Sequence, residues 1–251
     1  MGDGKSQSGQ VEVETAIVLP MVVFLILGLI QLGLLNQAWI VTKYAAYRAV
    51  RTGALRNMDV ETMEAAAVAA ALPVLSYPKN GRSVLSRSDD GASWVIKYSH
   101  PGFRFNRMTD CGLKYATVDI LRPNGCDLAQ LEGSVYQAKG KRYIPFDFVE
   151  TSGRDVLTKL RIELTINYRM IIPFADWVIY KMWRGARVAR VLRVGRGSLL
   201  PAAPVGTDVA AAMGVYIVPI RAQYGMKLQS DVPLEALPPA QNCDEGKPSN
   251  P

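Results

Sequence analysis

Twenty consecutive residues, Ala16 to Leu35 (AIVLPMVVFLILGLIQLGLL), carry no charge and one amide, Gln31. As an α-helix they form a rod about 30 Å long, the thickness of a bilayer's hydrocarbon core. Such a rod has to be covered by lipid or by other apolar helices, and this limits the chain more than any other stretch. Two carboxylates, Glu12 and Glu14, stand at its start, behind a polar leader, MGDGKSQSG, that ends in Gly9. Pro20 removes one backbone hydrogen bond and is expected to kink or loosen the helix locally, as membrane helices tolerate. Gly28 and Gly33 permit close helix approach, although their spacing is not GxxxG.

Three readings compete for this N-terminus. A secretory signal peptide needs a shorter apolar core followed by a small-x-small cleavage site, and Asn36-Gln37-Ala38-Trp39 is not one. An uncleaved signal anchor fits the apolar run. So does a prepilin leader, cut on the cytoplasmic side before the run. Type IV prepilins are cleaved after a glycine and carry glutamate as the fifth residue of the mature chain. Cleavage between Gly9 and Gln10 makes Glu14 that fifth residue, whereas counting from Gly2 or Gly4 reaches Gln7 or Gly9.

The segment GQVEVETAIVLPMVVFLILGLIQLGLL, continued by NQAWIVTKYAAYRAVRTGAL, resembles the N-terminus of the tight-adherence (TadE/TadF-like) minor pilins. The matching features are Val13-Glu14-Thr15-Ala16, the early Pro20 and the Ala/Arg/Gly-rich stretch Ala45–Ala54. The resemblance holds to about residue 75 and beyond it is a general pattern of a few strands. The C-terminal part is longer than in a typical member. The resemblance implies a structural subunit of a type IV pilus system, not an enzyme. Its implied partners are a prepilin peptidase, other pilin and minor pilin subunits, inner-membrane pilus assembly machinery and membrane lipid.

It also implies a role for Glu14: pairing with the new amino group of Gln10 on a neighbouring subunit and setting helix register. A carboxylate at the positive end of a helix dipole is well placed, but among packed helices it needs a cation. The plain alternative is that Glu12 and Glu14 are solvated acids in the first turn. Orientation divides the two kinds of signal. Lys43, Arg48, Arg51 and Arg56 outweigh Lys5 and favour a cytoplasmic C-terminal side, whereas a prepilin leader is itself cytoplasmic. Long domains translocate largely regardless of charge, so the leader decides: inner membrane, single pass, C-terminal domain in the periplasm or outside the cell.

The expected fold class is α+β: a long N-terminal membrane-spanning helix, then a pilin-like domain with a second helix and a small antiparallel sheet. The expected divisions are a leader at 1–9, the helix at 10–57, an extracytoplasmic domain at 58–232 and a disordered, proline-rich tail at 233–251. Ile40, Tyr44, Tyr47 and Ala54 fall at helical spacing and are expected to lie against the domain. Asp59 is a candidate N-cap for an alanine-rich packing helix ending before Pro73. Leu160 to Tyr168 alternates apolar and polar residues, the pattern of a half-buried strand. Trp94–Tyr98, Tyr115–Leu121 and Val215–Leu228 are further expected strands, the last broken by Pro219 at an edge or bulge. Asp89-Asp90-Gly91 and Pro123-Asn124-Gly125 are turn chemistry, and His100, beside Pro101, is a loop residue.

The net charge of +7 favours anionic partners without choosing among them. No basic block interleaved with aromatics marks a nucleic-acid surface. One histidine, no glycine-rich phosphate loop, no G-x-S-x-G and no ligand spacing for zinc or calcium leave no catalytic residue, cofactor or metal to expect. Cys111 and Cys126 are a candidate disulfide if the domain is outside the cytoplasm; the alternative is three free thiols, Cys243 included. The segment IIPFADWVIYKMWRGARVARVLRVGRG joins an aromatic half to arginines at 184, 187, 190, 193 and 196. Arg184, Arg187, Arg190 and Arg193 form a candidate basic patch for membrane or an acidic partner; the plainer reading is an insertion whose arginines are solvated. The functional alternative to a pilin subunit is a single-pass extracytoplasmic binding protein that never enters a filament.

Overall fold

The computed structural model describes residues 7–79, 82–86, 88–125, 127, 143–148, 157–184 and 206–238. Its spine is one 49-residue helix, α1 (Gln7–Leu55), continuous through Pro20. At 1.5 Å per residue it is about 73 Å long, more than twice a bilayer's hydrocarbon core. Helix α1 begins inside the expected leader, so Gly9 and Gln10 lie in its first turn instead of in an unstructured segment.

Leu55 ends α1 because the chain turns left-handed at once, with φ of 51° at Asn57 and 60° at Met58. The Met58 N–H returns to the Gly53 carbonyl at 3.0 Å. Asp59 then caps α2 (Val60–Ala71), its carboxylate accepting the Thr62 N–H at 3.3 Å, as the sequence predicts. Helix α2 packs back on α1 through small residues: Ala46, Ala49, Val50 and Ala54 share one core with Met63, Ala67 and Ala71. Gly53 makes the closest approach, since a Cβ there would lie 2.2 Å from Met63 Sδ.

The two helices cover a three-stranded antiparallel sheet ordered β3 (Ala116–Arg122), β5 (Lys159–Arg169), β6 (Ile217–Lys227). Strand β5 is central, and its alternation is the one legible in the sequence: Leu160, Ile162, Leu164 and Ile166 are buried with α1 and α2. Pro219 sits on edge strand β6, opposite Asn167, where its missing N–H breaks no inner ladder. Two small ladders flank the sheet, β1 (Tyr77–Lys79) with β2 (Arg82–Val84) and β4 (Tyr143–Ile144) with β7 (Val232–Pro233).

Three expectations are corrected here. Trp94–Tyr98 is not a strand but most of helix α3 (Gly91–Tyr98). Asp90 is its N-cap and forms a capping box with Ser93, so the Asp-Gly pair starts a helix instead of a turn. Ile40 and Tyr44 face outward, because α1 docks through Ala38, Thr42, Ala45 and Ala49, whose small side chains let the helix approach the sheet. The domain also runs past 232: Pro233 pairs with Tyr143, and Leu234–Ala236 form a 3-10 turn.

The remaining described helices are α4 (Pro101–Arg104), α5 (Ala175–Arg184) and α6 (Thr207–Ala212).

Candidate functional site

The site is α1 itself, divided into two halves by what covers it. From Val11 to Ile26 every residue is exposed, including the apolar Ile17, Leu19, Val22, Phe24 and Leu25. From Leu27 onward one face is progressively covered, and Gln31, Ala38, Thr42, Ala45 and Ala49 are buried at spacings of three, four and seven. The domain therefore clasps the C-terminal half and leaves the N-terminal half to be covered from outside.

The junction between the halves is polar at one point. Gln31, the lone amide of the apolar run, is 0% exposed, and its Oε1 accepts the Ile172 N–H at 3.1 Å. An amide in hydrocarbon needs such a partner. One and two turns beyond, Leu35 and Trp39 pack against a cluster that contains Tyr168, Met170, Tyr180 and Val218. The Lys43 ammonium lies 3.6 Å from the centre of the Trp39 ring, a cation–π contact on the outer side of α1. Above Gln31, Phe174 meets Phe24 edge to face, with ring centres 5.8 Å apart. A lone amide in an apolar run signals a docking partner, but nothing in the sequence pairs Gln31 with Ile172 or Phe24 with Phe174.

Glu12 and Glu14 lie on the exposed half of α1, 17 residues (about 26 Å along the axis) separating Glu14 from Gln31. Gly9 and Gln10 are helical, one turn before Glu14. Of the basic patch, Arg184 ends α5, while Arg187, Arg190 and Arg193 lie outside the described residues. Cys126 and Cys243 also lie outside them. Cys111 is half-buried with a free thiol, its Sγ 3.7 Å from Met108 Sδ, and burial pushes that thiol's pKa up. Among the described residues no three His, Cys, Asp or Glu side chains come together to hold a metal ion.

The other polar clusters hold loops to the sheet. His100 is the N-cap of α4, its Nδ1 accepting the Gly102 N–H at 3.2 Å, with Tyr77 and Phe103 against its ring. Glu64 on α2 accepts from Lys114 Nζ at 2.8 Å and from Asn106 at 2.9 Å. Arg169, at the end of β5, pairs with Asp110 and Ser83.

Lys97 on α3 is buried beside the Phe103 ring, its Nζ donating to the Ser86 carbonyl at 3.2 Å. Burial lowers its pKa from 10.5 to about 8. Between these two values the unfolded chain holds a proton that the folded chain has lost, so stability rises with pH from about 8. Burial also pushes the Tyr168 phenol up to about 12 and raises that of Tyr115, so above pH 10 the unfolded chain loses protons first and stability falls. Thermal unfolding of the detergent-solubilised chain is expected to peak between pH 9 and 10, about 1–3 kcal/mol above neutral pH. Lys97→Met is expected to abolish the rise and leave the fall.

The geometry defines a class: an α+β domain built on the second half of one helix whose first half is exposed and largely apolar. That helix is long and apolar enough to cross a membrane and fits a single-pass anchor. Residues 9–51 match the family model described as TadE-like protein, so over this segment the chain is similar to TadE-like proteins. The match takes in the exposed half of α1 and the stretch clasped by the domain, up to the turn before Gly53. No curated protein and no solved structure matches the chain.

Proposed function

We propose that this chain is a minor pilin-like structural subunit for assembly of a tight-adherence type IV pilus. In this reading a prepilin peptidase cuts between Gly9 and Gln10. The mature chain is anchored in the bacterial inner membrane with residues 58 onward on the extracytoplasmic side. Other pilin and minor pilin subunits and the inner-membrane assembly machinery are its partners. The observation that carries the reading is the division of α1: Val11–Ile26 is exposed and, from Ala16 on, apolar, touched by the domain at Phe24, while one face of the rest is held by the domain. In this reading Glu14, exposed near the start of that half, pairs after cleavage with the terminal amine of a neighbouring subunit.

The N-terminal mass of protein purified from its native membrane tests this directly. The expected mature chain begins at Gln10, and Gly9→Leu is expected to abolish processing while the domain still folds. A chain that keeps residues 1–9 in cells with an active prepilin peptidase overturns the pilin reading and leaves a single-pass binding protein. A start beyond Leu35 removes the membrane anchor altogether.

A further inference from the structure

Helix α5 carries its apolar side chains on the wrong face for a soluble protein. At 100° per residue, Trp177, Val178, Lys181 and Met182 fall within an arc of about 140°, and Phe174 stands just before the helix. All five are exposed, Phe174 by 64% and Trp177 by 50%. The opposite face holds Ala175 and Tyr180, both buried, and half-buried Asp176 and Ile179; Tyr180 and Ile179 belong to the cluster against which Leu35 and Trp39 pack. The backbone is bent to present this face: Phe174 has φ of 69°, the left-handed region that bulky side chains rarely adopt, and that turn sets its ring on Phe24.

The depth of α5 identifies what covers it. If Glu14 marks one edge of the bilayer, the 12 exposed residues from Thr15 to Ile26 reach only about 18 Å, short of the roughly 30 Å of hydrocarbon. The hydrocarbon then extends past Gln31 to about Leu34, next to Leu35, which packs against the cluster that contains Tyr180 of α5. The shortfall of about 12 Å is most of one leaflet, room enough for the apolar face of an amphipathic helix, which sinks roughly 5–10 Å.

We propose that the outer face of α5 (Trp177, Val178 and Met182) is immersed in the acyl chain–headgroup boundary of the membrane leaflet on the domain's side, with Phe174, ahead of the helix, deeper among the acyl chains beside Phe24. It lies in the same lipid that surrounds the exposed half of α1. Lys181 shares the face and reaches the headgroups with its ammonium while its stem lies along the apolar surface. The domain is thus seated on the membrane by two elements instead of being tethered by one, and its orientation to the bilayer is set. The proposal rests on α1 crossing a membrane, and not on cleavage at Gly9.

The test places the full chain in phosphatidylcholine–phosphatidylglycerol vesicles with brominated acyl chains, with Trp39, Trp94 and Trp183 replaced by Phe so that Trp177 alone reports. Its fluorescence is expected to fall by about half or more with bromines near the headgroup end of the chains, and to resist aqueous iodide. Iodide quenching without bromine quenching overturns the proposal, as does shielding from both, which would mean a second protein surface covers the face. A second chain, with all four native tryptophans replaced by Phe and carrying Phe24→Trp, separates the failures. Bromine quenching of the indole introduced on α1, with none at Trp177 in the first chain, removes the α5 proposal alone. Failure at both positions removes the membrane anchor. Photoactivatable lipid cross-linking of the wild-type chain needs no substitution. Adducts are expected within 174–182 as well as 17–26, and adducts confined to 17–26 overturn the proposal.

Discussion

Asp110→Ala is expected to lower the unfolding free energy of the domain by about 3–5 kcal/mol, because it strands a buried charge. Arg169 is 3% exposed at the end of the central strand, and Asp110 is its carboxylate partner, 24% exposed. Ser83, the guanidinium's second side-chain partner among the described residues, is neutral. The two ends of this pair are not equivalent. Removing Asp110 leaves a guanidinium that water cannot reach, whereas Arg169→Met leaves a carboxylate that solvent can hydrate and a thioether stem of similar length in the core. Arg169→Met is therefore expected to cost about 1–2 kcal/mol, and Asp110→Ala clearly more. Urea unfolding of the full chain in detergent micelles, followed by near-ultraviolet circular dichroism, measures both. Equal losses would show that the pair is hydrated in solution.

Leu160→Ala is expected to cost about 2–5 kcal/mol, the range for emptying a fully buried leucine site. Leu160 is 0% exposed and stands on β5 beneath the point where α1 and α2 come closest. A Cβ on Gly53 would approach Leu160 Cδ2 to 3.0 Å and Met63 Sδ to 2.2 Å. Gly53→Ala alone is accordingly expected to destabilise by about 1–3 kcal/mol, although alanine is the better helix former by nearly 1 kcal/mol. Combined, the two substitutions should cost less than their sum by at least about 0.5 kcal/mol, since the new methyl group enters space that the leucine vacates. The same urea titration gives the double-mutant cycle. Strict additivity would mean that Met63 alone resists the methyl group.

Elements whose cause is local were legible before the structure. The apolar run of α1, the Asp59 cap of α2 and the period-two alternation of β5 each express one physical rule within a few residues. Trp94–Tyr98 shows the limit. Val95 and Ile96 suit a strand, but Asp90 and Ser93 cap a helix, and the capping hydrogen bonds outweigh two weak propensities. The outward turn of Tyr44 was not legible either. Helical spacing marks several faces of α1 as apolar, and close approach to the sheet selected the alanine face over the aromatic one. The candidate site divides in the same way. The Gly9, Gln10 and Glu14 spacing is a linear signal, whereas the contacts of Gln31 with Ile172 and of Phe24 with Phe174 join positions 141 and 150 residues apart.

By itself the sequence determined that one helix of this chain is apolar enough to need a membrane or other helices around it. Twenty uncharged residues have the same cost of exposure to water whatever the rest of the chain does. It also determined which residues of β5 face a core. Only the tertiary structure decided how far the domain reaches along that helix, because burial at Leu27 and Gln31 depends on what the segment from Met170 to Arg184 brings against them. That reach, and the apolar face it leaves on α5, arises from long-range packing, which no pattern of neighbouring residues records.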